Sequence, residues 1–237
     1  MRPRLPSLSL QPWLLTLASL LVGLHLTFSL TGDRLYSLFQ YIGLSTTALT
    51  KLHLWTLMSY SLFHHPEVWL HVTLNTLSLL YLGGRLCHII GSRQTLATLT
   101  IGILTAGLTH LPLSLLLHTT EQPLIGTSGG VCALLGLYCT LSPESRFYPI
   151  PVRARNLCLG LVVTSLLAVL IHPTLSLPGL SIIGAQLEVS PLHLLLDTSH
   201  ACHLGGLLTG LIIGRRMLAL PKLPPHFKKK KEKNSVT

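Results

Sequence analysis

Six apolar stretches, at roughly 11–31, 68–90, 95–117, 126–142, 157–172 and 199–219, take up most of this 237-residue chain. Each approaches the ~20 residues that an α-helix needs to cross the hydrocarbon of a bilayer. Runs of this length point to a multi-spanning helical membrane protein. Charge agrees: 49% of the residues are hydrophobic and 10% charged, with a mean hydropathy of +0.58, a balance that excludes an ordinary soluble domain. The expected fold is an all-α membrane protein with six transmembrane helices. The fourth and fifth stretches are short and interrupted by Gly, with Pro nearby, which suggests tilted or thinly covered helices.

The basic residues give an orientation. With the N-terminus in the cytoplasm, the inner side receives Arg2, Arg4, Arg85, Arg93, Arg146, Arg153, Arg155, Arg215, Arg216, Lys222 and the run Lys228–Lys231 with Lys233, leaving Arg34 and Lys51 outside. By the positive-inside rule both termini are cytoplasmic. The net charge of +10 is then a topology signal plus a basic tail able to touch anionic headgroups. No folded basic domain or basic–aromatic interleaving accompanies it, which argues against a nucleic-acid partner. Residues 1–10 read as a short cytoplasmic N-terminus, 11–220 as one six-span domain and 221–237 as a disordered cytoplasmic tail. The opening Met1-Arg2-Pro3-Arg4 looks like a signal peptide, but no small-x-small cleavage site closes the first stretch, so it reads as an uncleaved anchor. Trp13, Trp55 and Trp69 near span ends read as interfacial anchors. Cys87, Cys132, Cys139, Cys158 and Cys202 all lie in or beside apolar spans, as buried small hydrophobes rather than a disulfide framework.

Four polar residues fall at one depth. His71 and Asn75 are four apart, on one face of the second span near its outer end. Ser128 opens the fourth span, and His203 lies one turn inside the sixth. Polar groups at membrane depth face a bundle interior or an aqueous cavity, so the four border a pocket open to the outside. Singly, each has a plainer reading: Ser128 as a small packing residue, His71 with Asn75 as an interhelical hydrogen bond, and His203-x-x-Gly206-x-x-x-Gly210-x-x-x-Gly214 as a packing stripe. The glycines around Ser128, in Gly126-Thr127-Ser128-Gly129-Gly130, permit an unusual turn and bare backbone N–H groups at a helix N-terminus, where an anion is favoured. Ser128, Cys132, Gly136 and Cys139 form a matching stripe on the fourth span, and two narrow faces would bring Ser128 to His203. A serine within hydrogen-bond reach of an imidazole has its general base, and nearby donors stabilise an oxyanion. The remaining histidines lack Cys, Asp or Glu partners at ligand spacing, so no metal site is expected.

These residues resemble the rhomboid family of intramembrane serine proteases. Gly126-Thr127-Ser128-Gly129 is similar to its GxSG motif, His71 to Asn75 to its HxxxN motif, and His203, Gly206 and Gly210 to its HxxGxxxG motif, in the family's order and on its second, fourth and sixth spans. The resemblance covers roughly residues 50–215. It implies a six-helix core with a Ser–His dyad lacking an acidic third member and needing no cofactor. Ser128 would be the nucleophile, His203 the general base and then acid, and His71, Asn75 and Gly126 with the Ser128 backbone the oxyanion hole. The substrates would be single-span membrane proteins, cut near the outer face after the helix unwinds, with a small residue before the scissile bond and lateral access between the second and fifth spans. A multi-pass location follows, in the inner membrane if the source is bacterial, with the site open to the non-cytoplasmic side. The chain departs from the pattern where Thr56 follows Trp55 in place of an arginine, and where Arg85 follows Gly83-Gly84 in place of a glutamate; both family residues are structural. His64 and His65 stand where the family often has a histidine, in a loop lengthened by Pro66 and Glu67. His200 competes with His203 but lacks the glycine spacing, and Tyr138 is given no role. The alternative function is an inactive rhomboid-like protein that binds transmembrane helices. A transporter would bring paired halves or intramembrane carboxylates, and the sequence shows neither.

Overall fold

Small residues decide which helices meet, because in lipid apolar side chains gain nothing by leaving one hydrocarbon surface for another. The computed structural model describes residues 11–31, 37–117, 123–147, 151–190 and 199–219. Six helices of fourteen residues or more form the body: α1 (Pro12–Thr31), α5 (Trp69–Ile90), α6 (Ser92–Leu116), α7 (Ser128–Leu141), α8 (Ala154–Leu170) and α10 (His200–Ala219). Each falls on one of the six apolar stretches, with boundaries shifted by up to three residues. Of these, α1 and α6 are long and apolar enough to cross a membrane on length and composition alone. The shorter α2 (Phe39–Ile42), α3 (Thr46–Thr50) and α4 (Thr56–Ser59) build the connection from α1 to α5, and α9 (Leu180–Glu188) lies between α8 and α10. One element departs from an all-helical chain: β1 (Arg146–Phe147) and β2 (Val152–Arg153) pair antiparallel before α8, and Glu144 bridges Arg153 and Arg155 beside them.

The centre is α7, whose principal partners are α10 and α6. A Cβ added at Gly206 would meet the carbonyl of Gly129, one at Gly210 the carbonyl of Ala133, and one at Gly136 the carbonyl of Leu207. Backbones this close leave no room for side chains, the geometry of small-residue packing between membrane helices. Further along, Gly214 meets Thr140, so α7 and α10 run parallel. Against α6 the direction reverses: Gly129 meets Ala106, Gly130 meets Leu99 and Ile103, and Gly102 meets Ala133. On the other flank, Leu14 of α1 fills the space at Gly83 of α5, while His25 meets Trp69 edge-on at 4.6 Å, so α1 and α5 are antiparallel.

The predicted α7 stripe is right in its first half and corrected in its second. Cys132 and Gly136 face α10, but Cys139 neighbours Cys158 of α8, and Thr140 takes its place against α10. All five cysteines are free. Large apolar side chains stand exposed along the outer faces, among them Leu77, Leu108, Leu159 and Ile212. Residues 1–10 and the basic tail lie outside the described residues, as do Arg34 and Lys222.

Candidate active site

Three helix starts converge. Ser128 is the first residue of α7 and His203 lies in the first turn of α10, and the glycine-lined seam between the two helices brings His203 Nε2 to 2.8 Å from Ser128 Oγ. The third start is that of α5, where His71 is the third residue. Its imidazole lies over Gly126: a Cβ at Gly126 would stand 3.0 Å from His71 Cε1, 3.3 Å from Nε2 and 3.9 Å from Ser128 Oγ. Gly126 has φ +122°, a conformation that any other residue adopts only with strain. Both the turn and the space therefore require glycine here, and the serine, the two imidazoles and the first N–H groups of α7 share one small volume. Those N–H groups have no partner inside the helix and sit at the positive end of its dipole.

Asn75 lies one turn deeper and is 5% exposed. Its amide donates to the carbonyl of His71, 3.0 Å away on its own helix, which leaves one amide hydrogen for any other partner. His200 meets His203 edge-on at 6.2 Å, while the imidazole bonded to Ser128 is that of His203. Tyr138 is buried deeper along α7 and packs against Phe147, far from Ser128 in the helix.

The residues that hold the serine turn in place were not legible as a motif. Leu44 and Leu124 exchange backbone hydrogen bonds of 3.0 and 2.8 Å, and the Gly126 N–H donates to the Tyr60 carbonyl at 2.9 Å. Thr127 donates through its hydroxyl to the Ser61 carbonyl, and its N–H approaches His64 Nε2 at 3.5 Å. Tyr60, fully buried, donates its own hydroxyl to the Ile103 carbonyl of α6 at 2.6 Å. The segment before α5 thus forms a platform under residues 124–127, and its buried His64 holds the neutral ring needed to accept from Thr127. The other overlooked contact is Ser199, which accepts from the Cys202 N–H at 3.4 Å as a cap for α10 and meets His110 Nδ1 of α6 at 2.8 Å. A serine just before a helix is a cap signal; no local pattern ties it to His110, 89 residues away.

The family model of the rhomboid domain matches residues 51–220. The chain belongs to the rhomboid family. No curated protein matches it. With its helical body and apolar faces, family membership makes this a multi-pass membrane protein. Two departures from the rhomboid pattern have a visible place. Thr56, following Trp55, is fully buried and donates to the His53 carbonyl at 2.7 Å, while the Trp55 indole N–H donates to the Tyr41 carbonyl at 2.7 Å. Arg85 lies over the Tyr81 ring one turn back, 5.6 Å from its centre.

Proposed function

We propose that this rhomboid is an intramembrane serine endopeptidase that cleaves transmembrane segments. One observation carries the reading: Ser128 Oγ lies 2.8 Å from His203 Nε2 beside the unpaired N–H groups of a helix start. Neutral His203 takes the hydroxyl proton as Ser128 attacks a peptide carbonyl, then returns it to the leaving amine. The oxyanion forms in the volume kept open at Gly126, within reach of the Ser128 N–H and of His71 Nε2 in the tautomer that carries hydrogen there. Asn75 acts mainly by fixing the first turn of α5, with one amide hydrogen left to assist. No cofactor takes part in these steps.

The orientation belongs to the same proposal. The starts of α5, α7 and α10 share one end of the molecule, and Thr174, beyond α8, reaches the Leu117 carbonyl at the end of α6, so that end also receives the outgoing α6 and α8. All seven described arginines then fall at the opposite end and Lys51 alone at the site end. By the positive-inside rule the site faces away from the cytoplasm and both termini lie within it, across six membrane-crossing helices. Substrates are single-span proteins whose helix opens locally, since a helix hides its carbonyls in backbone hydrogen bonds, with access between α5 and α8.

The test is labelling of the purified protein with a fluorophosphonate, alongside cleavage of a model transmembrane substrate in detergent. Wild type forms a Ser128-dependent adduct and cuts; Ser128→Ala and His203→Ala do neither while keeping their thermal unfolding. A folded wild type with no adduct and no cleavage sinks the proposal in favour of an inactive helix-binding rhomboid.

A further inference from the structure

Away from the serine, the connection between α1 and α5 encloses an open cavity of about 310 Å³, lined by Ser37, Gln40, Tyr41, Thr47, Lys51 and His53. That volume is at the small end of ligand sites, room for a headgroup and not for acyl chains. Among the described residues no carboxylate lines it, and Lys51 makes no ion pair. One wall is rigid: His53 stacks on Trp55 at 4.6 Å and on Tyr41 at 5.7 Å. Beside it the chain is arranged at a cost. Leu52 is held at φ +61°, where a branched side chain is strained, and is 75% exposed. Leu54 and Trp55 stand out with it, 60% and 54% exposed. Three large apolar side chains together in water are unfavourable; against a membrane, the same side chains enter the acyl region and the cavity lies at headgroup level.

The geometry points to a binding site for the phosphodiester headgroup of an anionic phospholipid in the leaflet at the site end. Lys51 pairs with the phosphate, and the hydroxyls of Ser37 and Thr47 and the amide of Gln40 take a polyol head such as phosphoglycerol. A choline head is disfavoured, because its ammonium faces Lys51 and meets no carboxylate among the described lining residues. The three exposed apolar side chains select a lipid over a free phosphate.

The test reads binding and does not depend on proteolysis. The full chain, purified in neutral detergent and stripped of lipid, is given equimolar phosphatidylglycerol and phosphatidylcholine and examined by native mass spectrometry. Wild type retains phosphatidylglycerol in preference, and Lys51→Ala lowers that preference about tenfold, as expected for one charge-assisted contact. Lys51→Arg keeps it, which excludes a folding defect, and Arg93→Ala at the opposite end leaves it unchanged. Equal retention of the two lipids by wild type, or an unaltered preference in Lys51→Ala, overturns the site. Displacement of phosphatidylglycerol by millimolar glycerol phosphate overturns the lipid as its source and makes the ligand a soluble phosphate.

Discussion

Gly126 is the residue with the least freedom to change. Alanine there adds a Cβ 3.0 Å from the His71 ring at φ +122°, so Gly126→Ala is expected to cost about 1–3 kcal/mol in backbone strain. Because the ring it displaces is the proposed oxyanion donor, labelling of Ser128 should fall further than thermal unfolding shifts. His71→Ala is expected to lower kcat about 10²–10³-fold, the usual range for an oxyanion donor. Asn75→Ala should lose less, since its amide already serves the His71 carbonyl; steady-state kinetics on one substrate separates the two. His64 gives a pH dependence. Burial, more than the neighbouring His71 and His25, lowers its pKa from the ordinary 6.5 to about 3. A folded-state value below the unfolded one means stability that is complete above pH 6.5 and is lost as the pH falls towards 3. Unfolding temperatures at pH 7.5 and 5.0 should therefore differ, and His64→Gln should reduce the difference without abolishing it.

At the scale of elements, the seam between α7 and α10 sets the distance between serine and base. Gly210→Ala places a Cβ on the Ala133 carbonyl, forcing the helices apart at a point two turns below His203. It is expected to lower the unfolding temperature and abolish fluorophosphonate labelling together. Gly23 and Gly160 are the contrasting cases, with open space around the missing Cβ; alanine at either should stay within about 1 kcal/mol of wild type and leave labelling intact. The cap on α10 predicts an intermediate outcome. His110→Ala frees Ser199 from α6 and loosens the first turn that carries His203, so kcat should fall with KM little changed, and His110→Asn, which keeps a polar nitrogen near Nδ1, should recover part of the loss.

For the whole molecule, charge and packing give one polarity among the described residues: seven arginines at one end, the serine, two site histidines and Lys51 at the other. Reporter fusions at either terminus of a full-length membrane-inserted protein should report the cytoplasm, and a terminus found outside would reverse the leaflet assigned to the site. The positions of the long helices and the site motifs were readable in the chain, because apolar length and motif spacing are local properties of sequence: six stretches became six long helices, and the glycine spacings around Ser128 and His203 suggested the two faces that the structure brings together. What lay beyond the sequence depends on contacts between segments far apart. Cys139 turns from α10 to α8, Asn75 folds back on its own helix, Thr140 and not a cysteine completes the seam, and Tyr60, Ser61 and His64 hold the serine turn across more than sixty residues. Periodicity names the face that a residue occupies, but which neighbour comes to that face, and which of two partners its hydrogen bond takes, is decided only when the backbones have closed to the distance that their glycines allow.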